Sequence, residues 1–174
     1  MAVGLRDFHP EDFDALWRID QDCFPPGISY SRQELKLYLR RPRAFAVVAT
    51  NSVELESANG SEPSPAAGSG TIVGFLIAEA GSRGSGHIIT IDVVAPARRV
   101  GVGSLLLRSA EKRLQEAGCG SVLLETAVDN LSALSFYKRH GYSVSRTFAR
   151  YYSNGVDALV LAKKLEQPAE RSVK

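Results

Sequence analysis

In four stretches of the chain apolar residues recur at steps of three to four, and in several shorter runs nearly every position is apolar. That contrast separates helices from strands. Between Pro10 and Cys23, one stripe is formed by Phe13, Leu16, Ile19 (or Asp20) and Cys23, with Pro10 at a first-turn position and Glu11 and Asp12 where the helix dipole favours acids. Phe24-Pro25-Pro26-Gly27 cannot extend that helix, because neither proline has an amide to donate and Pro26 biases Pro25 toward extended backbone. Ser31-Arg32-Gln33-Glu34 then has the form of a capping box, opening a second helix that carries Leu35, Tyr38 and Leu39 and stops before Pro42. Two helices joined by a stiff apolar loop form a wall suited to a binding groove.

Ala44–Ala49 and Ile72–Ala78 read as strands, separated by a stretch from Asn51 to Gly70 rich in Ser, Gly, Pro and Ala and expected to be a flexible hairpin insert. The turn Gly81–Gly86 leads to a third strand, His87 to Val94. Past Pro96 the period changes again: Val102, Leu105, Leu106, Ala110, Leu114 and Ala117 trace one helix face, and Gly118 can end it. Ser121 to Ala127 is the next strand, Asn130 to His140 a short helix ending at Gly141, and Tyr142–Phe148 and Ala158–Lys163 are closing strands around Ser153-Asn154-Gly155. A helix between the strands at 88 and 126 requires a crossover, so those two should run parallel. The expected fold is mixed α+β, with a mostly antiparallel sheet flanked by about four helices. A single domain over residues 1–165 and a tail at 166–174 are expected.

Composition narrows the classes. The 174 residues are 44% apolar and 23% charged, which is globular composition. The richest apolar stretch, Ile88 to Ala97, is interrupted by Thr90 and Asp92 and is too short for a membrane span. The first seven residues lack a basic-then-apolar leader, so a cytoplasmic protein with no membrane partner is expected. Cys23 and Cys119, and likewise His9, His87 and His140, are too scattered for a zinc site or disulfide scaffold, so no metal is expected. A net charge of +2 does not favour a nucleic-acid partner, and the cluster Arg32, Lys36, Arg40, Arg41 and Arg43 is the wet side of a helix.

Arg98-Arg99-Val100-Gly101-Val102-Gly103 stands between a strand and a helix, where unpaired amides and the helix dipole favour an anion. A tight turn that only lets helix pack on strand would carry the same glycines. No Gly-Lys-Ser/Thr follows, and the third glycine of a dinucleotide fingerprint is missing, so the turn suits a pyrophosphate without a metal motif.

The run Ile91-Asp92-Val93-Val94-Ala95-Pro96-Ala97-Arg98-Arg99-Val100-Gly101-Val102-Gly103-Ser104-Leu105-Leu106 resembles the acetyl-CoA motif of the GNAT acetyltransferases, whose core is Arg/Gln-x-x-Gly-x-Gly/Ala. A second run, Leu124-Glu125-Thr126 through Asn130 to Phe136-Tyr137-Lys138-Arg139-His140-Gly141-Tyr142, is similar to that family's second motif. The resemblance implies a GNAT fold with a splayed parallel strand pair. It also implies acetyl-CoA as cosubstrate, held by Val93, Val94, Arg98, Arg99, Val100, Gly101, Val102, Gly103, Ser104, Asn130 and Tyr137, with the main chain of Val93 and Val94 free to face the pantetheine arm. By the same resemblance Tyr137 is the general acid toward the leaving thiolate, a role open to a phenol of pKa about 10.

Glu125, twelve positions before Tyr137, is the candidate base, the interval found in RimI-type acetyltransferases. His87 resembles a histidine that shares a water with that glutamate in protein N-terminal acetyltransferases; a surface histidine would look the same in sequence. Phe24-Pro25 with Ser29-Tyr30 resembles the loop that receives the first acceptor side chain, although Pro26-Gly27-Ile28 lengthens it here. Arg150-Tyr151-Tyr152-Ser153 resembles the hairpin that grips a peptide. The implied function is a RimI-like N-acetyltransferase acting on a protein or peptide N-terminus, as monomer or homodimer. A small amine or a lysine as acceptor, or an acyl-CoA sensor without turnover, are the alternatives.

Overall fold

The structure is a computed structural model describing residues 2–52 and 70–166. Its strands are β1 (Ala2–Asp7), β2 (Ala44–Ser52), β3 (Thr71–Ala80), β4 (Ser85–Val93), β5 (Ser121–Ala127), β6 (Ser143–Phe148) and β7 (Ala158–Lys164), in the sheet order β1-β2-β3-β4-β5-β7-β6. The helices are α1 (Phe13–Cys23), α2 (Arg32–Leu39), α3 (Val102–Glu116) and α4 (Leu131–Arg139), with short 3₁₀ turns at Pro10–Asp12 and Ala95–Ala97. None of these helices is long and apolar enough to cross a membrane.

The uninterrupted apolar runs of β2 and β3 are explained by burial on both faces. Val47, Ala49, Leu76 and Ala78 join the core under α3, whereas Ala46, Val48, Phe75 and Ile77 join a second core against α1 and α2. The first core continues beneath β5 and β7 through Val122, Leu124 and Leu161; the second is built from α1, α2, β2 and β3. Helices therefore cover the α3 face across the sheet, while the opposite face of β5 lies outside that second core.

The strand-helix-strand crossover is parallel as expected, but β4 and β5 pair only at Ser85–Ser121, Gly86–Val122 and His87–Leu123. The reason lies one strand away. On β3, Ile77 faces Thr90 and Ala78 faces Ile88, so Ile89 is an extra residue in β4, a bulge that bends the strand just beyond its last pair with β5. Beyond His87 the two strands part and open a gap.

Three features differ from the sequence reading. β1 pairs with β2 from Ala2–Ser52 to Asp7–Val47, although Ala2–Asp7 carries no strand pattern; it is an edge strand, largely exposed, tied to the start of α1 by the bidentate Arg6–Asp12 pair at 2.6 and 2.8 Å. β2 extends through Asn51 and Ser52, and Gly70 leads directly into β3; the rest of the expected insert, residues 53–69, lies outside the described residues, as do 167–174. The β6–β7 connection is a nine-residue loop, 149–157, folded on bonds such as Arg150 N–H to Asp157 Oδ1 at 2.7 Å.

Candidate active site

The glycine turn adopts the geometry of an anion cradle. Arg99 and Gly101 both have positive φ, 62° and 95°, on either side of Val100, and the first helical bond of α3 is Leu105 N–H to the Gly101 carbonyl at 3.0 Å. The amides of Val102, Gly103 and Ser104 precede it, the position at which helix amides lack an internal acceptor. The two glycines differ. A Cβ on Gly101 would meet nothing within 4 Å, so glycine is favoured there by its φ; on Gly103 a Cβ would stand in ordinary contact, 3.4 Å from the Phe136 ring, where α3 packs on α4.

His140, at the end of α4, reaches this turn. Its Nδ1 lies 2.8 Å from the Phe136 carbonyl, which can only accept, so Nδ1 donates and Nε2 is left for the Ser104 hydroxyl at 3.0 Å. Asn130 caps α4 by accepting the Ala133 amide at 3.1 Å.

At the gap, the two residues expected to face a pantetheine arm differ. The Val94 amide is engaged by the Val73 carbonyl at 3.0 Å, which corrects the expectation that it is free. The Val93 carbonyl points the other way and accepts from Arg98 Nε at 2.8 Å and from the Cys23 thiol at 3.5 Å. Tyr137 is buried in the first core, edge-on to Tyr142 with ring centroids 5.4 Å apart. Burial, with the nearby Asp92 and Tyr152, pushes its phenol well above the usual value, so it stays protonated at neutral pH.

Across the gap, His87 and Glu125 meet directly. Residues in register on parallel strands share a face, so the His87–Leu123 pair sets His87 on the same side as Glu125 two positions on. His87 Nε2 and Glu125 Oε2 are 2.6 Å apart and both side chains are partly exposed. The contact is direct where resemblance implied a shared water. Tyr151 and Tyr152 stand near Glu125, and Tyr30, near both of them, pairs with Tyr38 on the α1–α2 segment. Tyr30 lies edge-on to Tyr38, with centroids 5.1 Å apart, and its hydroxyl donates to the Ile89 carbonyl at 3.3 Å. Tyr151 and Tyr152 are likewise perpendicular, 5.1 Å apart, and half-exposed Tyr151 stacks on Phe148. Burial raises the Tyr30, Tyr151 and Tyr152 phenols, and Glu125 raises the latter two further.

The loops that carry these tyrosines touch. Pro25 accepts the amides of Ile28 and Ser29, each at 3.1 Å, folding the extra Pro26-Gly27-Ile28 into a turn after Phe24, and the Ser153 hydroxyl donates to the Gly27 carbonyl at 3.1 Å. This bond joins the α1–α2 loop to the β6–β7 loop beside the gap. Residues passed over in the sequence also border it: Asp20, Asp92 and Cys23. For the two aspartates the signal is an acid on an apolar stripe or inside an apolar run, which reads as interruption until the fold buries it; Cys23 reads as one more apolar position of its stripe. The basic cluster is divided among local partners: Arg32 pairs with Asp14 and lies over Trp17, Lys36 lies over Phe13, and Arg41 bonds Glu79 at 2.8 Å.

The seven-stranded, mostly antiparallel sheet with its short parallel pair and four helices is a fold shared with GNAT acetyltransferases. The sequence pattern of the acetyltransferase (GNAT) family matches residues 13–142, and the chain belongs to that family of acetyl-CoA-dependent acetyltransferases. It is 29% identical over 161 residues to an uncharacterized N-acetyltransferase of Methanocaldococcus jannaschii, covering 92% of this chain and 90% of the relative. It is 34% identical over 102 residues to the N-alpha-acetyltransferase MAK3 of Arabidopsis thaliana, covering 57% of this chain and 54% of that protein. Among solved structures, Ard1 from Thermoplasma volcanium superposes with a TM-score of 0.80 at 25% identity, covering 96% of this chain and all of the other, 100%. The reaction is acetyl transfer from acetyl-CoA to an amine.

Proposed function

We propose that the amine is the N-terminal α-amine of a protein or peptide and that it attacks directly within a ternary complex, in the RimI-like manner. The observation that carries this proposal is the His87–Glu125 pair where the β4–β5 pairing ends, with Tyr151 and Tyr152 near Glu125 and the Tyr30–Tyr38 pair near those two. A weak base is enough for such an acceptor. An α-amine of pKa about 7.7 to 8.0 is roughly a tenth to a sixth neutral at pH 7, whereas a lysine of pKa about 10.4 is neutral less than about one part in a thousand. Four phenols offer rings to a first side chain and hydroxyls to a peptide backbone. The relatives named N-alpha-acetyltransferase support the same acceptor.

The turn residues fit the coenzyme: positive φ at Arg99 and Gly101 aims successive amides at one concavity, as an anion requires. Arg98 to Ser104 would hold the diphosphate. Val93, Val94, Asn130 and Tyr137 would line the arm. Bound acetyl-CoA supplies the acetyl group as an activated thioester. Glu125, fixed by His87, takes one proton from the acceptor ammonium, directly or through water, before the neutral amine attacks; the second nitrogen proton leaves to solvent after the nitrogen–carbon bond has formed, and a solvent proton restores Tyr137 at the end of the cycle. Tyr137 keeps its proton until the carbon–sulfur bond breaks and then gives it to sulfur. Phe24, Pro25 and Tyr30 receive the first side chain, and Tyr151 and Tyr152 hold the following backbone.

Thiol release from acetyl-CoA, measured with short peptides bearing free or blocked N-termini, tests this. Release with free termini alone is expected. Release from lysine after blocking, or with polyamines, would move the acceptor to a side chain or small amine, and coenzyme binding without release would make the chain a sensor.

A further inference from the structure

Asp20 lies on α1 with no solvent exposure, where an apolar residue would continue the stripe of Leu16 and Ile19. Its Oδ2 accepts the Tyr30 amide at 2.8 Å and the Gln21 side-chain amide at 2.9 Å. The same Gln21 amide donates to the Tyr30 carbonyl at 2.8 Å. Two successive α1 residues therefore grip both ends of the Tyr30 main chain, while the Tyr30 hydroxyl reaches the Ile89 carbonyl at the bulge. The surroundings do not favour a charge. Asp20 Oδ1 has no hydrogen-bond partner among the described residues, nor does Oδ1 of the fully buried Asp92. Burial pushes Asp20 up to about 6, with Glu34 adding to it, and burial, with the like charge of Asp20 added, raises Asp92. An asparagine could accept the Tyr30 amide without this cost, so fold stability alone does not account for a carboxylate here.

We propose that Asp20 is a positioning residue of the acceptor site: with Gln21 it fixes the Tyr30 main chain, and so sets the depth at which the Tyr30 ring meets the acceptor's first side chain. The inference rests on the acceptor assignment above. Charge matters because both donors converge on one carboxylate oxygen in charge-assisted bonds, and the neutral carbonyl of Asp20→Asn could accept the same two donors only in weaker bonds, loosening the hold on Tyr30. The groups facing Asp20 are Gln21 on its own helix, Tyr30 and Glu34 beyond the loop, and Asp92 on β4 with its neighbours Thr90 and Arg98.

Steady-state kinetics on the full chain, with peptides that differ only in the first residue, test it. Asp20→Asn should raise acceptor KM about tenfold, the scale of a lost bond to a charged group. It should flatten the preference among first residues and leave kcat and acetyl-CoA KM within about twofold. The ratio of acceptor KM values, variant over wild type, should fall toward one as pH drops below about 6, where Asp20 gains its proton. Titration of the peptide amine is common to both proteins and cancels, whereas Asp92 loses the Asp20 charge in the variant and is raised there by burial alone. Equal acceptor KM values, or a fall in kcat with both KM values unchanged, would overturn the proposal. Should Asp20→Asn fail to fold, Gln21→Leu decides: it frees the Tyr30 carbonyl and removes one donor from Asp20 while leaving the Tyr30 amide held, and an unchanged acceptor KM overturns the proposal. A wild type that turns over no free-terminus peptide would sink the acceptor assignment itself, a result separable from a wild type that is active beside an indifferent variant.

Discussion

The coenzyme side and the acceptor side of this molecule are built on different principles. The proposed cradle is made of consecutive residues, Arg98 to Ser104, and would bind through main-chain amides flanked by positive φ at Arg99 and Gly101. The acceptor side has no such local unit. It gathers Tyr30 and Tyr38 from α1–α2, His87 from β4, Glu125 from β5, and Tyr151 and Tyr152 from the β6–β7 loop. A site of amides tolerates changes in the side chains around it. A site of side chains from four segments changes with each of them, so substrate choice can vary while the coenzyme stays fixed.

If the two halves are separable, substitutions should divide between coenzyme affinity and acceptor handling. The largest effect is expected where they meet. Tyr137→Phe should lower kcat by about 10²–10³, within the range of general acid catalysis. Its acetyl-CoA affinity, measured by calorimetry, should remain within about threefold; unchanged turnover would remove Tyr137 as proton donor. On the coenzyme side alone, Gly101→Glu should weaken acetyl-CoA binding by about a hundredfold. The site has open space for a Cβ, so the loss comes from a φ of 95° and from negative charge in an anion site. Retained affinity in the same titration would dissolve the cradle. On the acceptor side alone, Ser153→Ala removes the bond to the Gly27 carbonyl and should raise acceptor KM about threefold with acetyl-CoA KM unmoved. A matching shift in both constants would mean that the loops are not independent of the coenzyme.

The smallest effect is on stability. Because Asp20 has its folded pKa raised to about 6 from 3.8, the folded state binds that proton more tightly than the unfolded chain does. Its contribution to stability is complete below about pH 4 and is lost as pH rises through 6. The midpoint of thermal unfolding of Asp20→Asn relative to wild type should therefore be higher at pH 8 than at pH 4.5. A difference that does not change with pH would show that Asp20 does not titrate in this range.

The same division governs what the sequence discloses. Local signals were readable: the Ser31–Glu34 box closes as written, with Glu34 N–H to Ser31 Oγ at 3.2 Å and Ser31 N–H to Glu34 Oε2 at 2.8 Å. The parallel crossover followed from the order of elements, and most of the α3 face from periodicity: Val102, Leu106, Ala110 and Leu114 are buried, whereas Leu105 and Ala117, expected on that face, are exposed and Leu107 joins the core instead. β1 did not, because Ala2–Asp7 is an edge strand held by main-chain pairing to β2 and has little to bury. His87 and Glu125 were legible as types, but their direct contact depends on parallel register at His87–Leu123, which no spacing encodes. Asp20 shared a stripe with Leu16, and only the packed loop reveals why an acid stands there.

The sheet is two slabs, one of four strands and one of three, stitched by three rungs of main-chain pairing between β4 and β5. On the α3 side a shared core backs that seam. On the other side a molecule lodged between the slabs becomes part of the masonry. Coenzyme should consequently slow deuterium uptake most at amides 88–93 and 124–127, so the substrate to be consumed also serves, while it stays, as the missing courses of the wall.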